Sequence, residues 1–381
     1  MRIGIDALSL RGARTGIGNY VHGLIRWIPE IAPQHEYFLY SNRALGLDPL
    51  SPDKVFRQRI DNFFRFCPGA LWLLARGAGL AKMDQVDVFW ASTPILPIGL
   101  PAGVLKIVTL HDMVWLRCPE TTTGYNLFLQ RTLAQRAIAE ADFVLVNSRS
   151  TQEELVQTLG ISRDKIRLIY ANISDRYKPE QPQEAAKYIS EKYNVPSCYM
   201  ATVGTVEPRK NLKLLVKALR ILKDNGRLAY PLLVVGAKGW KNSNLFQQIR
   251  DSGLTDGDIR FMGYLPEKDM PFFYSGAQVF LFPSLYEGFG LPPVEAMACG
   301  TPVIASNAQC MPEVLGDAAI LESPTSAERF ATAITRVLSD EALRQAMRTQ
   351  GIRRAERFRS QTSAQRLVEV FERRCCREVH A

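Results

Sequence analysis

The chain has 381 residues, 46% hydrophobic and 22% charged, with a formal net charge of +9. That length exceeds one ordinary core, so two domains are expected, and the composition is that of a globular protein and not of a disordered or fibrous one. Apolar runs stay under ten residues, excluding a transmembrane helix, and the basic balance calls for an anionic partner.

Met1-Arg2 leads directly into a strand, which leaves no room for a signal peptide. Seven cysteines without CxxC spacing read as reduced thiols in a cytosolic protein and not as a metal site. With no nucleic-acid motif in the chain, an anionic substrate or an anionic membrane surface is the expected partner.

Residues 2–10, RIGIDALSL, read as the first strand, followed by a loop over 11–18 and a helix from Asn19 to about Trp27. Gly16-Ile17-Gly18 is either a phosphate-facing loop or simple turn chemistry. Val21 stands where a full GxGxxG would place its third glycine, which counts against a nicotinamide-binding domain. Tyr37 to Tyr40 is a second strand. Over 54–82, Lys54, Arg57, Arg59, Arg65, Arg76 and Lys82 face one acid, Asp61, with Phe56, Phe63, Phe64, Phe66 and Trp72 interleaved. Two readings stay open: a helix packed on its domain with a solvated basic side, or an interfacial segment touching anionic lipid.

Val86 to Trp90 and Lys106 to Leu110 are further strands, the second ending in His111-Asp112. A histidine there either points into a crevice at the carboxyl end of a parallel sheet or caps its own loop. Ala141 to Val146 is a strand; Ser150 and Glu153 form a candidate capping box; Lys165 to Tyr170 closes the first half. Residues 178–196, with Pro179, Pro182 and Pro196, read as a linker holding a short helix.

The pattern restarts at Tyr199 to Val203, with a turn at Gly204 and Asn211 capping a helix over Leu212 to Lys223. Arg209 and Lys210, at this strand end, are either cationic donors at a phosphate-sized site or a solvated basic turn. Leu232 to Val235, Asp258 to Phe261 and Val279 to Phe282 are strands, and 327–374 is helical. The one Asp-x-Asp, Asp256-Gly257-Asp258, precedes a strand and reads as turn chemistry, so no metal site is expected.

The stretch from Val279 to Ser306 carries most of the chemistry. A strand runs into a loop ending Glu287-Gly288-Phe289-Gly290, a helix begins at Leu291-Pro292-Pro293, and Thr301 to Ala305 is the next strand. Gly288 and Gly290 let backbone approach a ligand, and the helix end at Gly290 and Leu291 suits a phosphate. Glu287 and Glu295 are either a solvated loop residue and a helix-dipole carboxylate, or acceptors for neutral hydroxyls beside that phosphate. The second reading fits a nucleoside diphosphate sugar.

EGFGLPPVEAMACGTPVIAS resembles the E-x7-E signature of the retaining group 1 glycosyltransferases, with Glu287 and Glu295 at its two acidic positions, and the likeness runs from Met1 to about Arg374. The resemblance implies an α/β chain of the GT-B fold: two doubly wound Rossmann-like domains with a cleft between them. The expected division is 1–178, an acceptor-side domain; 179–362, a nucleotide-sugar-binding domain; and 363–381, a final helix crossing back to the first. It further implies Gly16 and Gly18 facing the donor phosphates and acceptor, His111 near the donor sugar, and Arg209 with Lys210 clamping the diphosphate. Glu295 would hold the ribose and Glu287 the sugar, beside Gly288, Phe289, Gly290 and Leu291.

VGTVEPRKN with the IDA start looks most like bacterial mannosyltransferases of surface-polysaccharide synthesis. The implied donor is GDP-mannose and the implied acceptor a saccharide or polyprenyl-diphosphate-linked chain, with no cofactor and no metal. The expected place is the cytoplasm, at the inner face of the membrane. A UDP-sugar donor, a sugar-nucleotide epimerase of the same fold, and a non-enzymatic nucleotide-sugar binder remain as alternatives.

Overall fold

A computed structural model describes residues 1–12, 16–46, 55–121, 124–237, 239 and 243–373. The chain forms two units, Met1–Ser174 joined by the chain from Phe358 onward, and Asp175–Arg357.

The first unit holds β1 (Arg2–Asp6), α1 (Gly16–Ile31), β2 (Glu36–Ser41), β3 (Phe56–Ile60), α2 (Gly69–Met83), β4 (Val88–Ala91) and β5 (Leu105–Leu110). Then come α3 (Val114–Arg117), α4 (Gly124–Glu140), β6 (Phe143–Val146), α5 (Arg149–Leu159) and β7 (Ile166–Leu168). The seven strands are parallel in the order β3-β2-β1-β4-β5-β6-β7. Central strands are apolar on both faces, as a sheet covered by helices requires: all four residues of β4 and of β6 are buried.

The second unit holds α6 (Pro182–Tyr193), β8 (Met200–Val203), α7 (Leu212–Asp224), β9 (Leu232–Val235), α8 (Ser243–Asp251), β10 (Ile259–Gly263), α9 (Met270–Ser275) and β11 (Val279–Phe282). They are followed by α10 (Leu291–Ala298), β12 (Val303–Ser306), α11 (Met311–Leu315), β13 (Ile320–Glu322), α12 (Ala327–Ser339) and α13 (Glu341–Ala355). Its six strands are parallel in the order β10-β9-β8-β11-β12-β13. Leu215, Leu219 and Leu222 of α7 and Phe330, Ile334 and Val337 of α12 bury a helical-period stripe on one face of this sheet.

The last helix, α14 (Ser360–Glu372), belongs to the first unit and packs on α1. Its Ser360 hydroxyl donates to Asn172 and to the Ile173 carbonyl, and Phe371 lies 6.1 Å from the Trp90 ring. Gly23 of α1 sits flush against this junction: a Cβ there would come within 2.0 Å of Asn172 Oδ1.

Local readings change in four places. β1 stops at Asp6, because its carboxylate takes the Leu8 N–H and turns the chain into a 3-10 turn over Leu8–Leu10. α1 starts at Gly16 and continues to Ile31, past Pro29. The N-cap of α5 is Ser148, whose hydroxyl accepts from Thr151 N, while Glu153 pairs with Arg163. Asn211 stands at the N-cap of α7 but its side chain does not cap it: the residue is left-handed, with φ 54°, and its amide donates to the Pro283 and Pro324 carbonyls.

Residues 54–82 are not one helix but β3, a 3-10 turn at Asn62–Phe64 and α2, with Lys54 outside the described residues. Pairing of β2 with β3 brings Glu36 to Arg57, and Asp84 reaches Arg59. Two of the cations that look unopposed in sequence therefore have carboxylate partners.

Candidate active site

In each sheet the strand order reverses once, between β1 and β4 in the first unit and between β8 and β11 in the second. At such switch points the loops leaving the carboxyl ends diverge and open a crevice, the usual ligand position in open α/β sheets. The sequence-derived candidates fall at these two places.

At the second switch point, the turn after β8 and the loop after β11 interlock. Leu285 N donates to the Arg209 carbonyl, and Arg209 Nη1 to the Tyr286 carbonyl. Gly236, at the β9 exit, lets these turns close up: a Cβ there would lie 2.0 Å from the Gly204 carbonyl oxygen. Thr202, Gly204, Lys210, Phe282 and Ser284 line a small hollow of about 10 Å³ between the exits, room for a single water.

Interlocking brings Glu287, Arg209 and Lys210 together. Arg209 Nη1 lies 2.9 Å from Glu287 Oε2, and Lys210 Nζ lies 2.6 Å from Oε1. A second acid, Glu207, takes Arg209 Nη2 at 2.6 Å. Lys210 also lies over the Phe282 ring, 5.2 Å from its centre. Burial works against a charged Glu287, but the two cations outweigh it and hold its carboxyl at about 2. Glu287 is therefore ionised at neutral pH, fit to accept hydrogen bonds and unfit to act as a general acid. Glu207 has no motif to mark it in the sequence, and its place two residues before Arg209 is the one usable signal.

Glu287 leads into the start of α10. Gly290 stands at its N-cap with φ 87°, and no side chain caps the helix. A Cβ at Gly290 would lie 2.4 Å from Met311 Cε. Pro292 and Pro293 carry no N–H, so the anion-facing donors of this end reduce to Gly290 and Leu291. Phe289 is buried behind them, and Cys310 Sγ donates to the Glu287 carbonyl.

Glu295, on α10, sits in different surroundings. It is buried, accepts the Tyr274 hydroxyl at 2.8 Å and is also bonded by Tyr177. Burial pushes its carboxyl up to about 7, against the lowering pull of the two phenols. Glu287 thus has cationic partners and Glu295 phenolic ones, with none in common. Neither tyrosine was legible as a partner, because Tyr274 reaches Glu295 only through the packing of α9 on α10.

At the first switch point His111, directly after β5, is partly buried, and its Nε2 lies 2.8 Å from the Ser92 carbonyl. Burial lowers its pKa, so the ring is neutral. Gly16 and Gly18 lie in the first turn of α1, while residues 13–15 of the preceding loop fall outside the described residues. Asp256-Gly257-Asp258 is a turn at the amino end of β10, where Asp258 accepts from Thr255 N and Lys223 Nζ. Among the described residues no cluster of three or more His, Cys, Asp or Glu is placed to hold a metal.

Residues 182–354 match the family model described as glycosyl transferases group 1, and residues 14–174 match glycosyltransferase family 4. The chain is 30% identical over 266 residues to O-antigen chain mannosyltransferase B of Escherichia coli, covering 70% of each chain. It is 26% identical to the serotype-specific mannosyltransferase WbdA of Escherichia coli, over 94% of this chain but only 46% of that longer one. Sucrose-phosphate synthase from Thermosynechococcus elongatus superposes with a TM-score of 0.75 over 98% of this chain and 99% of its own, at 19% identity, a likeness of fold. On its two Rossmann-like parallel sheets, its E-x7-E loop and these matches, the chain belongs to the group 1 glycosyltransferases of the GT-B fold.

Proposed function

We propose that the protein transfers mannose from GDP-mannose to a saccharide or polyprenyl-diphosphate-linked acceptor in surface-polysaccharide synthesis, with retention of configuration. The observation that carries this reading is the largely buried Arg209–Glu287–Lys210 cluster beside the open start of α10. The O-antigen mannosyltransferases among the relatives favour mannose.

The leaving diphosphate gains charge as the bond to the sugar breaks. Arg209, Lys210 and the N–H groups of Gly290 and Leu291 are fixed donors for that charge. Lys210 Nζ has three N–H donors and Glu287 takes one, so the ammonium can hold the carboxylate and a phosphate oxygen together. The C1–oxygen electron pair leaves with the diphosphate. The acceptor oxygen bonds C1 on the same face, and its proton passes to a departing phosphate oxygen. Glu287, ionised, accepts from sugar hydroxyls. Glu295, its carboxyl pushed up by burial, takes the ribose. The two cations supply the charge that a divalent ion supplies elsewhere, so the reaction proceeds without metal.

The test is incubation with GDP-mannose and a panel of UDP-sugars, with and without lipid-linked saccharide acceptor, and with EDTA in a parallel arm. Acceptor-dependent GDP release from GDP-mannose, unchanged by EDTA, is expected. A preference for a UDP-sugar overturns the donor, sugar conversion without acceptor points to an epimerase, and activity lost to EDTA and restored by Mg²⁺ or Mn²⁺ overturns metal independence.

The acceptor class brings a membrane surface with it. Phe63 and Phe66 are 88% and 81% exposed, and the Arg65 guanidinium lies 4.6 Å over the Phe66 ring. An aromatic pair flanked by a cation suits the interface of an anionic bilayer, which narrows the segment over 54–82 to this turn.

A further inference from the structure

At the first switch point, three polar groups on three strand ends are linked in series. Asp6, the last residue of β1, is fully buried. Its carboxylate accepts the Leu8 N–H at 3.0 Å, the Ser92 hydroxyl at 3.1 Å and the Thr93 hydroxyl at 3.4 Å. Ser92 and Thr93 are the first residues beyond β4. The Ser92 carbonyl in turn lies 2.8 Å from His111 Nε2, at the end of β5. Tyr20 of α1 meets the His111 ring edge-to-face, with centroids 5.2 Å apart.

A carbonyl can only accept, so Nε2 carries the proton. The ring is partly buried, and desolvation disfavours its charged form against the smaller opposing pulls of the Ser92 carbonyl and Asp112. A neutral imidazole donating from Nε2 must present a lone pair at Nδ1. The tautomer is thus set by where the Ser92 carbonyl stands, and the adjoining hydroxyls at Ser92 and Thr93 are both held by Asp6.

We propose that Asp6 is a positioning residue for glycosyl transfer: it clamps the β4 exit so that the Ser92 carbonyl holds His111 as the Nε2–H tautomer, with Nδ1 turned into an acceptor for a hydroxyl of the transferred sugar. This rests on the glycosyl-transfer reading and on His111 lying near the donor sugar. Carbonyl displacement of the order of an ångström is enough to release the ring, and misplacement on that scale costs about 100-fold in rate. Nothing in the sequence marks Asp6 for this task, because its link to His111 runs through a third strand.

The test reads the ring nitrogens directly. ¹⁵N NMR of the full chain at neutral pH, with the signals of His111 identified by their loss in His111→Gln, shows a single Nε2–H tautomer in the parent. In Asp6→Ala the pattern becomes a mixture of tautomers, and kcat falls about 10- to 100-fold while donor KM stays nearly constant. Ser92→Ala, which cuts the tie and leaves Asp6 in place, gives the same change if Asp6→Ala does not fold. Asp6→Asn, which keeps an acceptor for Leu8 N–H, falls between parent and alanine. A parent-like nitrogen pattern in the folded variant overturns the proposal, as does an altered pattern with full transfer rate. If the parent transfers no sugar, the functional reading fails, while the nitrogen pattern still reports on the clamp.

Discussion

Lys210 Nζ lies 2.6 Å from Glu287 Oε1, although 77 residues separate them. Both side chains are largely buried, at 14% and 11% exposure. With Arg209 and Glu207 they make two positive and two negative charges in one small volume. Such a cluster is costly to desolvate and costly to break, since removing one member strands another in a poor solvent for charge. In the proposed reaction it holds two cations fixed before a diphosphate arrives.

Lys210→Ala should weaken binding of nucleoside diphosphate about 10- to 150-fold, the loss of one charged hydrogen bond at roughly 1.5–3 kcal/mol. Arg209→Ala should do the same and also lower stability, because Glu207 and Glu287 both lose a partner. Nucleoside affinity should stay as in the parent. Calorimetric titration with GDP and with guanosine checks both, and unchanged GDP affinity in both variants removes the pair from the site.

Glu287→Ala should cut kcat about 100-fold while GDP binding holds or tightens, since the cations lose a competitor for their donors. Stability gives a second readout. The Glu287 carboxyl falls from an ordinary 4.5 to about 2 on folding, so the charged group stabilises the protein above pH 4.5. That contribution is lost as pH falls from 4.5 towards 2. Acid unfolding curves of the variant should therefore be flatter than the parent's in that window. A variant with full transfer rate contradicts the role.

Glu295 carries the opposite sign. Its carboxyl rises from 4.5 to about 7 on folding, so the native state binds the extra proton, and its contribution is fully present below pH 4.5 and lost as pH climbs to 7. Glu295→Gln should remove this slope and raise stability at pH 7.5 by up to about 3 kcal/mol. The same change should raise donor KM more than it lowers kcat. Urea unfolding at pH 5 and at 7.5 measures the slope, and a difference identical to the parent's refutes the assignment.

Arg65→Glu with Phe63→Ser and Phe66→Ser should abolish sedimentation with anionic vesicles and leave transfer to a soluble acceptor intact. High salt should release the parent, as attraction worth about 1 kcal/mol per basic residue is screened. Arg59→Glu should instead lower Tm, because it faces Asp84, itself 6% exposed. Equal vesicle binding by parent and triple variant reduces the turn to ordinary surface.

The sequence by itself determined the two-domain α/β plan, the E-x7-E loop and the cationic turn. Those features are local: alternating apolar strands and helices, a glycine-rich strand exit, and an Arg-Lys pair repeat within a few residues whatever surrounds them. Tertiary structure alone decided which charges meet. Glu287 and Glu295 are eight positions apart, yet one is pushed down by cations from the β8 turn and the other up by burial against tyrosines. Arg57 and Arg59 gain acids from a neighbouring strand and from the turn after α2. Asp6 reaches His111 through a third strand end. The physical reason is shared: burial and long-range packing set solvation and partner distance, the two quantities that fix a side chain's charge and orientation, and neither is encoded within a window of neighbouring residues.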